Sequence, residues 1–314
     1  MRRYVLRRLT ASVATVFLIS VVVFLALQAI PGDAAIISMG EYYAVEDVAT
    51  LREKMGLDLP LYIQYGRWLV GLPRGDMGTS LRTGQPISGE VVSRLPVTLE
   101  ITVLSLLVSL LIAVPAGIVA ATHRRSFTDF TARGLALFGI SVPNFWLGLM
   151  LILLFSLHLR WLPSGGYQPP AVGMWMHLGT IVLPVLTLGT SIAGTTMRIT
   201  RASMLEVLNH DYIRTGRAKG LSERRVVAYH ALRNALIPLV TVVGLQFGDL
   251  LGRTVIIEEI FSLPGLGRMI VGGVFNRDYP VVMAAVLLVS TGYTLANLTV
   301  DLLYGRIDPR IRYD

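Results

Sequence analysis

The chain has 314 residues, of which 53% are hydrophobic and only 15% charged, with a mean hydropathy of +0.62; soluble domains carry roughly a quarter charged residues, so a water-exposed surface around a single core is excluded. The formal charge of +8 would suggest nucleic acid in a soluble protein, but in so apolar a chain arginine in membrane-flanking loops accounts for it and no nucleic-acid partner is expected. Cysteine is absent, which excludes a disulfide framework, a thiolate metal site and a cysteine nucleophile.

A helix needs roughly 20 apolar residues to cross a hydrocarbon core of about 30 Å. Six windows qualify, approximately Leu9–Ile30, Val97–Thr122, Ala132–Leu157, Leu178–Met197, Leu236–Ile257 and Val281–Tyr304. The first follows Arg2, Arg3, Arg7 and Arg8 but is longer than a signal-peptide core and ends at Gln28-Ala29-Ile30-Pro31 without a small-x-small cleavage site, so it reads as a retained anchor. The third contains Pro143-Asn144-Phe145-Trp146, a packing kink or a bend that presents Asn144 to a path. The fourth is interrupted by Pro184, Gly189 and Gly194, which is tolerated where neighbouring helices re-satisfy the backbone, so it belongs inside the bundle.

Positive charge orients these spans. With the N-terminus inside, 18 of the 28 basic residues fall in cytoplasmic segments, and an even number of spans returns the C-terminus to the same side. The expected fold is an all-α polytopic membrane protein with about six spans, both termini inside. Residues 1–30 form the tail and first span, 31–96 a structured extracytoplasmic region, and 97–314 a core of five spans with a cytoplasmic loop at 198–234. In the outer region Val45–Met55 reads as a short amphipathic helix stopped at Gly56. Pro60, Gly71, Pro73, Gly75, Gly78, Gly84 and Pro86 then punctuate an ordered loop.

The cytoplasmic loop carries Asp211-Tyr212-Ile213-Arg214-Thr215-Gly216-Arg217-Ala218-Lys219-Gly220-Leu221. Asp211 is suited to cap a helix of about two turns, Gly220 to end it in the left-handed conformation, and Arg217 and Lys219 to face its negative end. Such a helix is too short to span and too polar to bury. It is either an amphipathic connector on anionic lipid or an element that seats in a partner's groove.

This segment, followed by His230-Ala231-Leu232-Arg233-Asn234-Ala235-Leu236-Ile237-Pro238, resembles the cytoplasmic loop of dipeptide/oligopeptide-type ABC transporter permeases. ABC importers generally show Glu-Ala-Ala…Gly…Ile-x-Leu-Pro there. Here Gly220 and Leu232 match, while Arg214-Thr215-Gly216, His230 and Arg233 depart from the pattern. The resemblance extends to Arg7-Arg8-Leu9, Ile30-Pro31-Gly32-Asp33, Gly56-Leu57-Asp58-x-Pro60-Leu61-x-x-Gln64-Tyr65, Gly75-Asp76-Met77-Gly78-Thr79-Ser80 and Arg94-Leu95-Pro96-Val97-Thr98-Leu99-Glu100. Phe261-x-x-Pro264-Gly265-Leu266-Gly267, Arg277-Asp278-Tyr279-Pro280 and Asp308-Pro309-Arg310-Ile311-Arg312 complete it. It implies a permease subunit of the bacterial cytoplasmic membrane that pairs with a second, similar permease and works by alternating access. The segment Asp211–Leu221 with His230, Arg233 and Asn234 would couple it to two ATPases, which bind the ATP and Mg, and an extracytoplasmic solute-binding protein would deliver a peptide or similar solute.

Ionisable groups within spans are costly and often functional. Asp249 and Arg253, four apart, are placed to neutralise each other. Glu258 and Glu259 either line the exit from the binding protein or are solvated, and Glu100 and Asp301 stand at span ends. Enzyme readings fare poorly: there is no Gly-x-x-x-x-Gly-Lys-Ser/Thr phosphate loop and no Gly-x-Ser-Gly within a span. His123, His158, His177, His210 and His230 lack metal-ligand spacing and read as interfacial or loop residues. A stand-alone carrier or channel is the remaining alternative, and no inverted repeat supports it.

Overall fold

A computed structural model describes residues 2–30, 50, 52–53 and 56–307; most of the expected Val45–Met55 helix lies outside them. Among the described residues the chain is helical, with one isolated bridge between Thr79 and Pro86. Five of the described helices are long and apolar enough to cross a bilayer: α1 (Arg2–Gln28), α3 (Ile87–Thr122), α6 (Met174–Leu208), α8 (Glu223–Ile260) and α10 (Tyr279–Ile307). A broken pair, α4 (Phe127–Ser141) and α5 (Asn144–His158), supplies the sixth. Two short helices, α2 (Leu61–Gly71) and α9 (Leu266–Phe275), lie at one end of the bundle, and α7 (Asp211–Ala218) lies at the other. That second end, the basic end, also carries the Arg8–Asp301 ion pair (2.9 Å) and the α3–α4 turn.

The third window is the main departure from expectation. Instead of one kinked helix, α4 and α5 meet at 101°. Pro143 has no N–H to continue the ladder and forces Val142 into extended geometry (φ −81°, ψ 125°), which stops α4 before α5 restarts. The pair still advances in one direction along α6: Ala136 lies against Gly194, Gly139 against the Thr190 carbonyl, Gly148 against Thr187, and Pro163 beyond α5 against Gly179. It is therefore one bent span rather than a loop that turns back. The far end of α5, Ile152–His158, widens to π-helical geometry, and Leu159 N–H donates to the Leu154 carbonyl at 2.9 Å.

The core is built on α6, in which 67% of the apolar stretch is buried, against 11% for α1. This is the span that Pro184 and the glycines marked as interior. Its glycines admit close neighbours: a Cβ at Gly189 would stand 2.9 Å from the Ser105 carbonyl of α3. Thr98, Thr102, Ser105 and Ser109 form a buried small-polar seam on α3, and Thr196 donates to Gln246 Oε1 of α8 at 3.0 Å. Such small and hydroxyl-bearing contacts hold helices together in lipid, where apolar burial alone gives no preference for a neighbour over a lipid tail.

Candidate functional site

At the basic end, α6 passes through only Asn209 and His210 before α7 begins. His210, not Asp211, holds the capping position, and no side chain caps the helix; Asp211 is its first residue. One buried side chain anchors α7. Ile213 is 1% exposed, in a cluster with Ala121, Met204, Val207, Val226, Ala231 and Ala235 from α3, α6 and α8. Asp211, Tyr212, Arg214, Thr215, Arg217, Ala218 and Lys219 are all exposed. The helix thus buries a single residue in the bundle and offers a polar face outward.

Its end follows the sequence. Gly220 has φ +79°, its N–H donates to the Arg217 carbonyl (2.9 Å), and Leu221 N–H donates to the Gly216 carbonyl (3.3 Å). This paired closure places half-buried Leu221 beside Gly216. A Cβ at Gly216 would make ordinary contact with Leu221 Cδ1 at 3.5 Å. Gly216→Ala is therefore expected to stiffen α7 by about 0.5–1 kcal/mol, read as slower amide hydrogen exchange over residues 213–218 than in the parent; faster exchange would contradict this geometry.

His230, Arg233 and Asn234 are not in a loop: α8 begins at Glu223, so the connection is much shorter than 198–234, and His230 sits on a π-helical turn, Val226–Ala231. Asn234 Nδ2 donates to Tyr212 Oη (2.9 Å), tying α7 to α8, while Arg233 is exposed. Arg217 donates to Glu223 at 2.6 and 3.0 Å. That hydrogen bond holds the Glu223 carboxyl below the usual carboxylate range. The pair's contribution is present at neutral pH and lost as pH falls through that depressed value; with both partners largely exposed it is small.

At the far end the expected path residues separate. Glu259 is exposed, 3.9 Å from Arg268, and lines an open polar cavity of about 500 Å³ with Arg82, Glu90 and Arg94. Asn144 is half-buried at the start of α5. Glu258 is not solvated. It is 0% exposed, accepts from Thr98 Oγ1 (2.6 Å) and from the Arg268 backbone N–H (3.1 Å), and Thr98 in turn accepts from Leu266 N–H (2.8 Å). A Cβ on Gly265 or Gly267 would collide with its carboxylate. The Pro264-Gly265-Leu266-Gly267 turn is moulded around the Glu258 carboxyl group at the start of α9, where backbone N–H groups point outward.

Other motifs resolve in the same way. Asp278 accepts from the Ser80 hydroxyl and from Leu81 N–H (3.0 Å), fixing the turn after Gly78. Gln64 donates to the Leu57 and Leu59 carbonyls (3.1 and 2.8 Å), and Tyr65 pairs with Ser20 of α1 (2.7 Å). Asp249 and Arg253 form the expected pair at 2.7 Å. Sequence reasoning missed His177, which is buried with Nε2 2.7 Å from Glu100 and Nδ1 2.8 Å from the Gln168 carbonyl. Tyr167 donates to Glu100 at 2.8 Å, and burial, then this bond, pushes its pKa up to about 12. Among the described residues no cluster suited to a metal ion is present.

Residues 113–313 match the family described as "Binding-protein-dependent transport system inner membrane component", and residues 1–102 match "Binding-prot-dependent transport system membrane comp, N-term". The chain belongs to this family. It is a permease of an ABC importer, a multi-pass protein of the bacterial inner membrane. Relatives described as "Glutathione transport system permease protein GsiC" from Salmonella paratyphi A and from Escherichia coli K12 are each 44% identical over 313 residues, covering 100% of both chains. Among solved structures, a chain of the inward-facing MetNI methionine ABC transporter is similar with a TM-score of 0.57 and 19% identity over 69% of this chain and 96% of that one. A chain of an amino acid ABC transporter with histidines is similar at a TM-score of 0.52 and 17% identity, over 70% and 95%. These two share the fold. The segment matched by the family's main description contains α7 and its seat.

Proposed function

We propose that α7 is the element by which this permease is driven by ATPase subunits, that the basic end faces the cytoplasm, and that the cargo is a short peptide or glutathione-like solute. The carrying observation is the asymmetry of α7: Ile213 fixes it among α3, α6 and α8, while Asp211, Tyr212, Arg214, Thr215, Arg217, Ala218 and Lys219 around it remain exposed. Force applied to that face reaches three spans through one buried contact. The concentration of arginine at this end agrees with the charge bias of cytoplasmic segments. A second permease would complete the path, and a solute-binding protein would dock at the opposite end, where Glu259 borders the polar cavity.

The 44% identity to permeases named for glutathione transport supports the cargo class. The test is purification of the tagged permease in mild detergent, followed by uptake into proteoliposomes. Recovery of two ATPases and a second permease, with uptake of labelled glutathione or dipeptides only when ATP and the binding protein are supplied, is the expected result. Transport by the isolated chain without ATP would overturn the reading.

A further inference from the structure

We propose that Asp129 and Arg201 form a clamp that makes α4 follow α6, and so carries movement of α7 into the bent third span; this rests on α7 being the ATPase seat. Few side chains of α4 are buried against its neighbours. Of its fifteen residues only Asp129 and Ala136 are buried, while Phe127, Phe130, Leu135, Leu137 and Phe138 are all exposed. An apolar cavity of about 520 Å³ lies between α4, α3 and α6, bordered on the α4 side by Leu135 and Phe138. Ala136 and Ile140 meet α6 at Gly194, and Gly139 meets the Thr190 carbonyl; these small and apolar contacts fix distance but not direction.

Asp129 supplies direction. It is 1% exposed, and Arg201 of α6 binds it in two-pronged fashion, Nε to Oδ1 at 2.8 Å and Nη2 to Oδ2 at 3.0 Å. Arg133 Nε stands 3.2 Å from Oδ1, and the Arg125 backbone N–H donates to Oδ2 at 3.1 Å. Arg125 has φ +64°, an unfavourable left-handed geometry for a non-glycine residue that this bond helps to hold. Two parallel N–H···O bonds between planar groups set the angle between their parent helices as well as their separation. Arg201 lies seven residues before the end of α6, and the step into α7 is hydrogen-bonded throughout: His210 N–H to the Val207 carbonyl (3.1 Å), then Ile213 N–H to the His210 carbonyl (3.1 Å). A displacement of α7 is thus delivered to α6 without slack and to α4 through the clamp.

The test uses the complete transporter in proteoliposomes. Asp129→Asn keeps shape and removes charge; Arg201→Lys keeps charge and removes the fork. Both are expected to leave the yield of assembled complex and its basal ATP hydrolysis within twofold of the parent, while solute moved per ATP hydrolysed falls at least tenfold. The double exchange D129R with R201D should recover part of that ratio. A parental ratio in D129N overturns the clamp, and so does loss of uptake in proportion to loss of assembled complex, which would mark a folding role. The α7 reading fails on different evidence, namely unchanged uptake when α7 itself is altered.

Discussion

Gly220→Val and Arg217→Glu are each expected to reduce ATP-dependent uptake at least tenfold while leaving membrane insertion and expression at parental levels. At Gly220 the reason is conformational alone. Nothing lies within 4 Å of where a Cβ would stand, but φ is +79°, and an L-residue held there is disfavoured by about 1–2 kcal/mol, more for a β-branched side chain. The closing hydrogen bonds to the Arg217 and Gly216 carbonyls would be strained and α7 would lose its defined end. Arg217→Glu acts through charge: it breaks the paired bonds to Glu223 and sets an anion at the negative end of a helix. Both positions are exposed, so neither change disturbs the spans. Parental uptake in both variants would remove α7 from the drive mechanism.

Glu258→Ala is expected to be among the most destabilising single changes in the chain. It removes the acceptor for the Thr98 hydroxyl and for the Arg268 N–H, and each buried donor left unpaired costs about 1–3 kcal/mol. The melting temperature in detergent should fall on the order of 10 °C. Gly265→Ala should act in the same direction, because its methyl group would collide with the carboxylate. Glu259→Gln, one residue away and exposed, should melt as the parent does. If E258A melted with E259Q, the buried carboxylate would not be what organises the far end.

These neighbouring glutamates show where sequence reading stops. Composition distinguishes neither, since one helical step decides which faces α9 and which faces water. Helix length, the interior placement of α6 and the left-handed end of α7 follow from local rules: apolar run length, proline and glycine inside a span, a glycine after a basic turn. Pro143 announced a break but not its 101° size, which depends on how α4 and α5 each find α6. α2 escaped notice because Gly66 and flanking Pro60 and Gly71 resemble loop punctuation, although Gln64 and Tyr65 lock it in place. The His177–Glu100 and Asp129–Arg201 pairs join residues 77 and 72 positions apart, and no periodicity within one helix can reveal them.

The sparse attachment of α1 has its own consequence. Among the described residues its contacts include Phe24 and Leu27 against Tyr279, Val282 and Met283, Phe17 and Phe24 against Tyr65, the Ser20–Tyr65 contact and the Arg8–Asp301 pair. A helix in hydrocarbon satisfies its own backbone before it finds a neighbour, so α1 acquires position from α10, not structure. A gene split between α1 and α2 would accordingly yield two fragments, each able to insert unaided and to rejoin laterally, like a side rail bolted to a finished frame.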